Sequence, residues 1–146
     1  MSPKGLAHET VKAALADRWY RLPQGDVDLA VATTFRLSDD TYLEPDVVIF
    51  PRASGIPGLA AANVLLVVEI ADSSLRYDMG RKAALYASFG IGELWVIDAE
   101  PLTTRVFREP AADEYREARD FGASDRLAPR FAPEVFALRL NELELE

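Results

Sequence analysis

His8, Val11, Leu15 and Trp19 recur at helical spacing, which predicts a helix over about His8 to Tyr20 with one buried face. Ser2-Pro3 and Gly5 keep the residues before it out of a regular helix. After a turn at Pro23-Gln24-Gly25-Asp26 the period changes. Val27, Leu29, Val31, Thr33 and Phe35 alternate with Asp28, Ala30, Ala32, Thr34 and Arg36, the pattern of a half-buried strand. Ser38-Asp39-Asp40 turns the chain back, and Thr41 to Phe50 reads as the next strand, interrupted at Pro45. Val47-Val48-Ile49-Phe50 is apolar at every position, and so is Val64 to Val68, as in central strands covered on both faces. Asp72-Ser73-Ser74 offers capping side chains for a helix of about Tyr77 to Phe89, which Gly90 stops. Glu93 to Asp98 reads as a third buried strand. Thr103–Arg108, Glu114–Asp120 and Val135–Leu140 read as shorter strands.

The order α-β-β-β-α-β with a β-rich tail predicts an α/β fold: a mixed sheet flanked by helices. No repeat or linker divides the sequence, so the expectation is a single domain over residues 1–146. Charge narrows the function classes. With 16 Lys and Arg against 24 Asp and Glu, the formal net charge is −8, unsuited to coating nucleic acid by phosphate neutralisation alone. An acidic chain still acts on nucleic acid through a local site where divalent metal screens the phosphates. Cysteine is absent, which excludes disulfides, thiolate catalysis and thiolate-bound zinc. The longest purely apolar run, Val64 to Val68, is far shorter than the roughly 20 residues of a membrane span. No basic segment followed by an apolar core marks a secretory signal, so a cytoplasmic location is expected, with no membrane partner. His8 is the only histidine, and no Gly-rich phosphate loop or histidine pair is present.

Two carboxylates stand out by their surroundings. Asp46 opens the run Val47–Phe50, and Glu69 follows Val64–Val68. Unpaired carboxylates are rarely buried, so acids set in such runs call for a reason. On neighbouring strands they converge at one end of the sheet. Two oxygen ligands beside a phosphate suit Mg²⁺, which binds through one or two carboxylates and keeps several waters.

Glu44-Pro45-Asp46-Val47-Val48, then Val67 to Ser74, then Tyr77-Asp78 through Lys82 and Tyr86, then Gly90 to Asp98 stand in an order that resembles the Uma-type ("Uma-two") family. These are bacterial restriction endonuclease-like proteins of the PD-(D/E)XK nuclease superfamily. The resemblance runs over about His8 to Asp98. It implies a restriction-endonuclease-like fold and a phosphodiesterase site using Mg²⁺ or Mn²⁺ on nucleic acid, DNA rather than RNA. It implies Asp46 and Glu69 as catalytic metal ligands, with Lys82, on the following helix, as the catalytic lysine. The wider superfamily carries that lysine two residues after the second acid, where this chain has Ala71. Glu9 is implied as a supporting carboxylate, and His8 matches a histidine of the family. Unlike many relatives, the chain has almost no β-segment ahead of the first helix. Tyr86, one turn after Lys82, could hold the amine or line the pocket.

Each residue also has a plainer reading. Asp46 reads as a turn or strand-start carboxylate, Glu69 as a solvated acid at the sheet rim, and Lys82 as a surface cation paired with Asp78. Glu9 reads as an exposed helix acid, His8 as a core or cap histidine, and Tyr86 and Trp95 as core. Glu142, Glu144 and Glu146 read as a solvated acidic tail. Three functions are therefore weighed: a metal-dependent endonuclease, a degenerate nuclease-fold domain serving dimerisation or protein binding, and a hydrolase of other phosphate esters. A homodimer is expected in either of the first two.

Overall fold

The computed structural model of the chain describes residues 5–23, 25–72 and 76–145. Helix α1 spans Leu6–Tyr20 and buries His8, Val11, Leu15, Ala16 and Trp19, the face expected from the spacing. The strands are β1 (Val27–Val31), β2 (Phe35–Arg36), β3 (Tyr42–Leu43), β4 (Val47–Pro51), β5 (Leu66–Ala71), β6 (Glu93–Asp98), β7 (Thr103–Ala111) and β8 (Glu114–Phe121). Helix α2 spans Arg76–Ser88, and Gly90, at φ +77°, ends it in the left-handed region open to glycine. The proposed cap at Ser73-Ser74, the Ser2-Pro3 start, Gln24 and Glu146 lie outside the described residues.

The main sheet has six strands in the order β1-β4-β5-β6-β7-β8. Every neighbouring pair is antiparallel except β5 and β6, which run parallel and are joined through α2. This is the strand–helix–strand unit expected from the sequence.

Each face of the sheet has its own core. On one, Val11, Leu15 and Trp19 of α1 meet Val47, Ile49, Leu66, Val68, Trp95 and Ile97. On the other, Ala83 and Tyr86 of α2 meet Val48, Phe50, Val67 and Leu94. Coverage on both sides is why β4 and β5 carry continuous apolar runs rather than alternation.

Three sequence expectations are corrected. The strand expected from Val27 to Arg36 ends at Val31, because Ala32 adopts a left-handed backbone (φ 52°). The segment beyond it re-forms as β2, which pairs with β3 in a separate hairpin and buries Phe35 in the α2-side core. The strand expected from Thr41 to Phe50 is likewise two strands, since Pro45 offers no N–H between them. The third correction concerns Val135–Leu140, which is not a strand. It makes a single bridge, Leu127 to Leu138, and then a 3-10 turn at Leu140–Glu142. Phe136, Leu138 and Leu140 alternate because they cover the α1-side core rather than extend the sheet. The Trp19 indole N–H donates to the Phe136 carbonyl at 3.1 Å and fixes this tail in place.

Candidate functional site

The β4–β5 register sets Val47 opposite Val68 and Ile49 opposite Leu66. Continued by one residue, it brings Asp46 level with Glu69. Both carboxylates are buried, each only 2% exposed. Glu69 is therefore not a solvated rim acid, and Asp46 stands directly before β4 as a strand-start carboxylate, but a buried one.

Two structural features place Asp46 there. Pro45 ends the preceding segment, and the Asp46 carbonyl accepts the Ala32 N–H at 3.1 Å, closing the end of the β1–β4 ladder. Its Oδ2 accepts the Ile70 N–H at 2.7 Å, tying the carboxylate to β5. Its Oδ1 lies 2.8 Å from His8 Nε2. The other ring nitrogen, Nδ1, lies 2.6 Å from Glu9 Oε2, and Glu9 Oε1 lies 3.2 Å from Lys12 Nζ. A chain of polar contacts thus runs from half-buried Lys12 through half-exposed Glu9 and His8 to buried Asp46. The His8 hydrogen bond, followed by that from Lys12, holds the half-exposed Glu9 carboxyl below its ordinary range.

Glu69 points to the α2 side. Its Oε2 accepts the Tyr86 hydroxyl at 2.7 Å, and its Oε1 lies 3.7 Å from Lys82 Nζ. Lys82 and Tyr86 are one turn apart on α2 and reach the same carboxylate. Burial raises the Tyr86 phenol far above its ordinary pKa, Glu69 raises it further, and Asp46 adds to the shift. The phenol therefore remains a hydrogen-bond donor, and both acids lie close enough for their charge to act on it. The Asp78 side chain, the alternative partner of Lys82, lies outside the described residues.

The structure thus gathers Glu69, Lys82 and Tyr86 on the α2 side, and sets Asp46 level with Glu69 in the β4–β5 register, tied to the Ile70 backbone and to His8 of α1. It places Glu9 one residue further out, in contact with His8 rather than with either acid. Ala71 is buried at the end of β5 and carries no amine, so Lys82 supplies the cation from the helix. Tyr86 lies in the core and contacts Glu69, whereas Trp95 is core alone, packed at a tilt against Trp19 with ring centres 5.7 Å apart. Of the acidic tail, Glu142 contacts Arg18 at 3.4 Å and is not simply solvated.

Sequence reasoning undervalued His8. Its position on the buried face of α1 was legible, but its contact with Asp46 depends on how α1 docks. Glu93 was missed as well. It is 2% exposed and accepts from the Trp95 indole at 2.8 Å, the Arg108 guanidinium at 2.8 Å and the Arg130 backbone N–H at 2.9 Å. The signal available was a carboxylate opening a buried strand directly after Gly92.

Two carboxylates on adjacent strands are hard oxygen donors, and that donor set fits a divalent ion such as Mg²⁺. No cluster of three or more His, Asp or Glu side chains suited to a metal occurs among the described residues. Next along the sheet, a cavity of about 540 Å³ opens between α2 and β6–β8. Ala71, Asp72, Met79, Val96, Arg105 and Phe121 line it; Asp46, Glu69 and Lys82 do not. No helix among the described residues is long and apolar enough to cross a membrane.

The architecture is shared with a solved structure. The fold is similar to that of "a putative nuclease belonging to DUF820" from Anabaena variabilis ATCC 29413, with a TM-score of 0.76 and 18% sequence identity. The similarity covers 97% of this chain and 82% of that one. The model of the Uma2 family, described as "Putative restriction endonuclease", matches residues 1–141, and the chain belongs to that family. No curated protein matches it.

Proposed function

We propose that the chain is a divalent-metal-dependent endonuclease that hydrolyses phosphodiester bonds in DNA. The observation that carries this reading is the pair of buried acids, Asp46 and Glu69, level with one another on β4 and β5 with Lys82 3.7 Å from the second. Membership of the Uma2 family supports the nuclease class.

In this reading Asp46 and Glu69 hold Mg²⁺ or Mn²⁺. Such an ion, when bound, polarises a phosphoryl oxygen and lets water attack near neutral pH. Lys82 places a compact cation beside Glu69, where it stabilises charge on the phosphoryl oxygens or orients the attacking water. Tyr86 positions the Glu69 carboxylate, and His8, braced by Glu9, positions Asp46. The adjoining cavity gives a neighbouring nucleotide room on the same face of the sheet.

The test is cleavage of plasmid and of labelled DNA and RNA oligonucleotides by purified protein with Mg²⁺, with Mn²⁺ and in chelator. Cleavage of DNA that needs the ion and falls by at least about a hundredfold in Asp46→Ala, Glu69→Ala and Lys82→Ala supports the assignment, in line with the loss of a catalytic group. Cleavage that survives both acid substitutions rejects it. A folded wild-type protein that cuts no nucleic acid under any of these conditions favours the non-catalytic domain.

A further inference from the structure

We infer that the β8 edge is a self-pairing surface, and that its partner is a second copy of this chain. β8 ends the sheet, and no strand among the described residues pairs with its outer side. An edge of this length presents a row of backbone donors and acceptors to any strand that fits. Its side chains select the strand. Arg116 and Arg119 are exposed and make no ion pair among the described residues. Glu117 is half-buried, with Arg108 and Arg130 only at 3.9 and 3.8 Å.

Only alternate residues of an edge strand turn N–H and C=O outward. Two copies related by a two-fold axis therefore pair only in registers that set one residue opposite itself. Centred on Arg116 or Arg119, the register places two guanidinium groups together. Centred on Glu117, it places two carboxylates together and Glu114 opposite Asp120. Centred on Ala118, it places the smallest side chain on the axis, Glu117 opposite Arg119 of the second copy, and Arg116 opposite its Asp120, which Arg105 of that same copy also holds. Among these registers, this one sets unlike charges opposite each other throughout, and each of its pairs occurs twice by symmetry. The result is a continuous sheet across both copies that leaves β4, β5 and the candidate site uncovered.

The inference is independent of catalysis and is tested without an activity assay. Sedimentation of the full chain is expected to show a dimer. Arg119→Glu, which sets a carboxylate opposite Glu117, is expected to weaken it by about tenfold or more. Combining it with Glu117→Arg restores unlike charges and the dimer. Because the chain has no cysteine, Ala118→Cys introduces a single thiol. Opposed Cα atoms in an antiparallel pair lie roughly 4.5–5.5 Å apart, within disulfide range, so mild oxidation links two copies. Arg116→Cys, off the axis, does not link. A monomer at every concentration, an open-ended polymer, a dimer indifferent to Arg119→Glu, or equal cross-linking at both cysteines overturns the inference.

Discussion

At the level of single residues, the site depends on which oxygen each neighbour occupies. Glu69 offers Oε2 to Tyr86 and Oε1 to Lys82, so its orientation is set from one helix. Tyr86→Phe removes one of these contacts while preserving the ring in the core. A hydrogen bond to a charged group contributes about 1.5–3 kcal/mol, and here the carboxylate left behind is buried. We expect denaturant unfolding of Tyr86→Phe to show a loss of that size. We also expect weaker Mg²⁺ binding by calorimetry, because Glu69 is no longer held in one rotamer. Full stability with unchanged metal binding would show that Tyr86 is only filler. The two acids were legible in the sequence because carboxylates are conspicuous in apolar runs. Their partners were less so: Lys82 and Tyr86 share a helix face by spacing, but that this face meets Glu69 follows only from the packing of α2. His8 illustrates the limit, since its buried position fits a core histidine and a contact to Asp46 equally well.

At the level of elements, β4, β5 and β6 were legible as short apolar runs and α2 by its helical stretch, each bounded by an evident signal such as Pro45 ahead of β4 or Gly90 after α2. The misread segments show why pattern fails elsewhere. Thr33 and Phe35 continue the alternation of β1, yet a backbone turn at Ala32 redirects them into a hairpin. In the tail, alternation at Phe136, Leu138 and Leu140 reflects contact with Trp19 and the α1-side core, and no strand partner is required. What joins that tail to the sheet is Glu93. One buried carboxylate satisfies Trp95 in its own strand, Arg108 in β7 and the backbone at Arg130. Arg108 extends the link by donating to the Ala128 carbonyl at 2.8 Å. Truncating Glu93 leaves the buried Trp95 indole, the Arg130 N–H and the part-buried Arg108 without their acceptor, a cost of about 3 kcal/mol. Glu93→Ala is therefore expected to destabilise the protein by that amount in chemical unfolding, and to expose the 128–131 segment to protease first. Glu93→Gln, which keeps the shape but not the charge, should recover part of the loss. A stability change below about 1 kcal/mol in Glu93→Ala would mean that the network is incidental.

For the whole molecule, the net charge of −8 is the property that most constrains how a nucleic acid could approach. Lysines number only three, Lys4, Lys12 and Lys82, and many arginines are already engaged with acids. Arg105, for example, holds Asp120 through two bonds of 2.7 and 3.0 Å, which lower the Asp120 carboxyl below its ordinary range. Phosphate neutralisation by side chains therefore contributes little, and the two buried acids at the candidate site repel a phosphate outright. In the proposed function, a divalent ion bound between them would reverse the local sign. On the proposed reading, metal is expected to govern binding as well as cleavage. In fluorescence anisotropy with a labelled duplex, using Ca²⁺ as a slow-turnover substitute where cleavage interferes, we expect affinity to rise by about tenfold or more from chelator to divalent ion. In Asp46→Ala and Glu69→Ala the rise should shrink, while binding in chelator should be equal to or slightly tighter than wild type, since a repelling charge is gone. Equal affinity in chelator and in divalent ion would place the nucleic-acid contact away from these acids. An equal rise in the wild type and both variants would assign the effect to general screening of an acidic surface rather than to an ion held by Asp46 and Glu69.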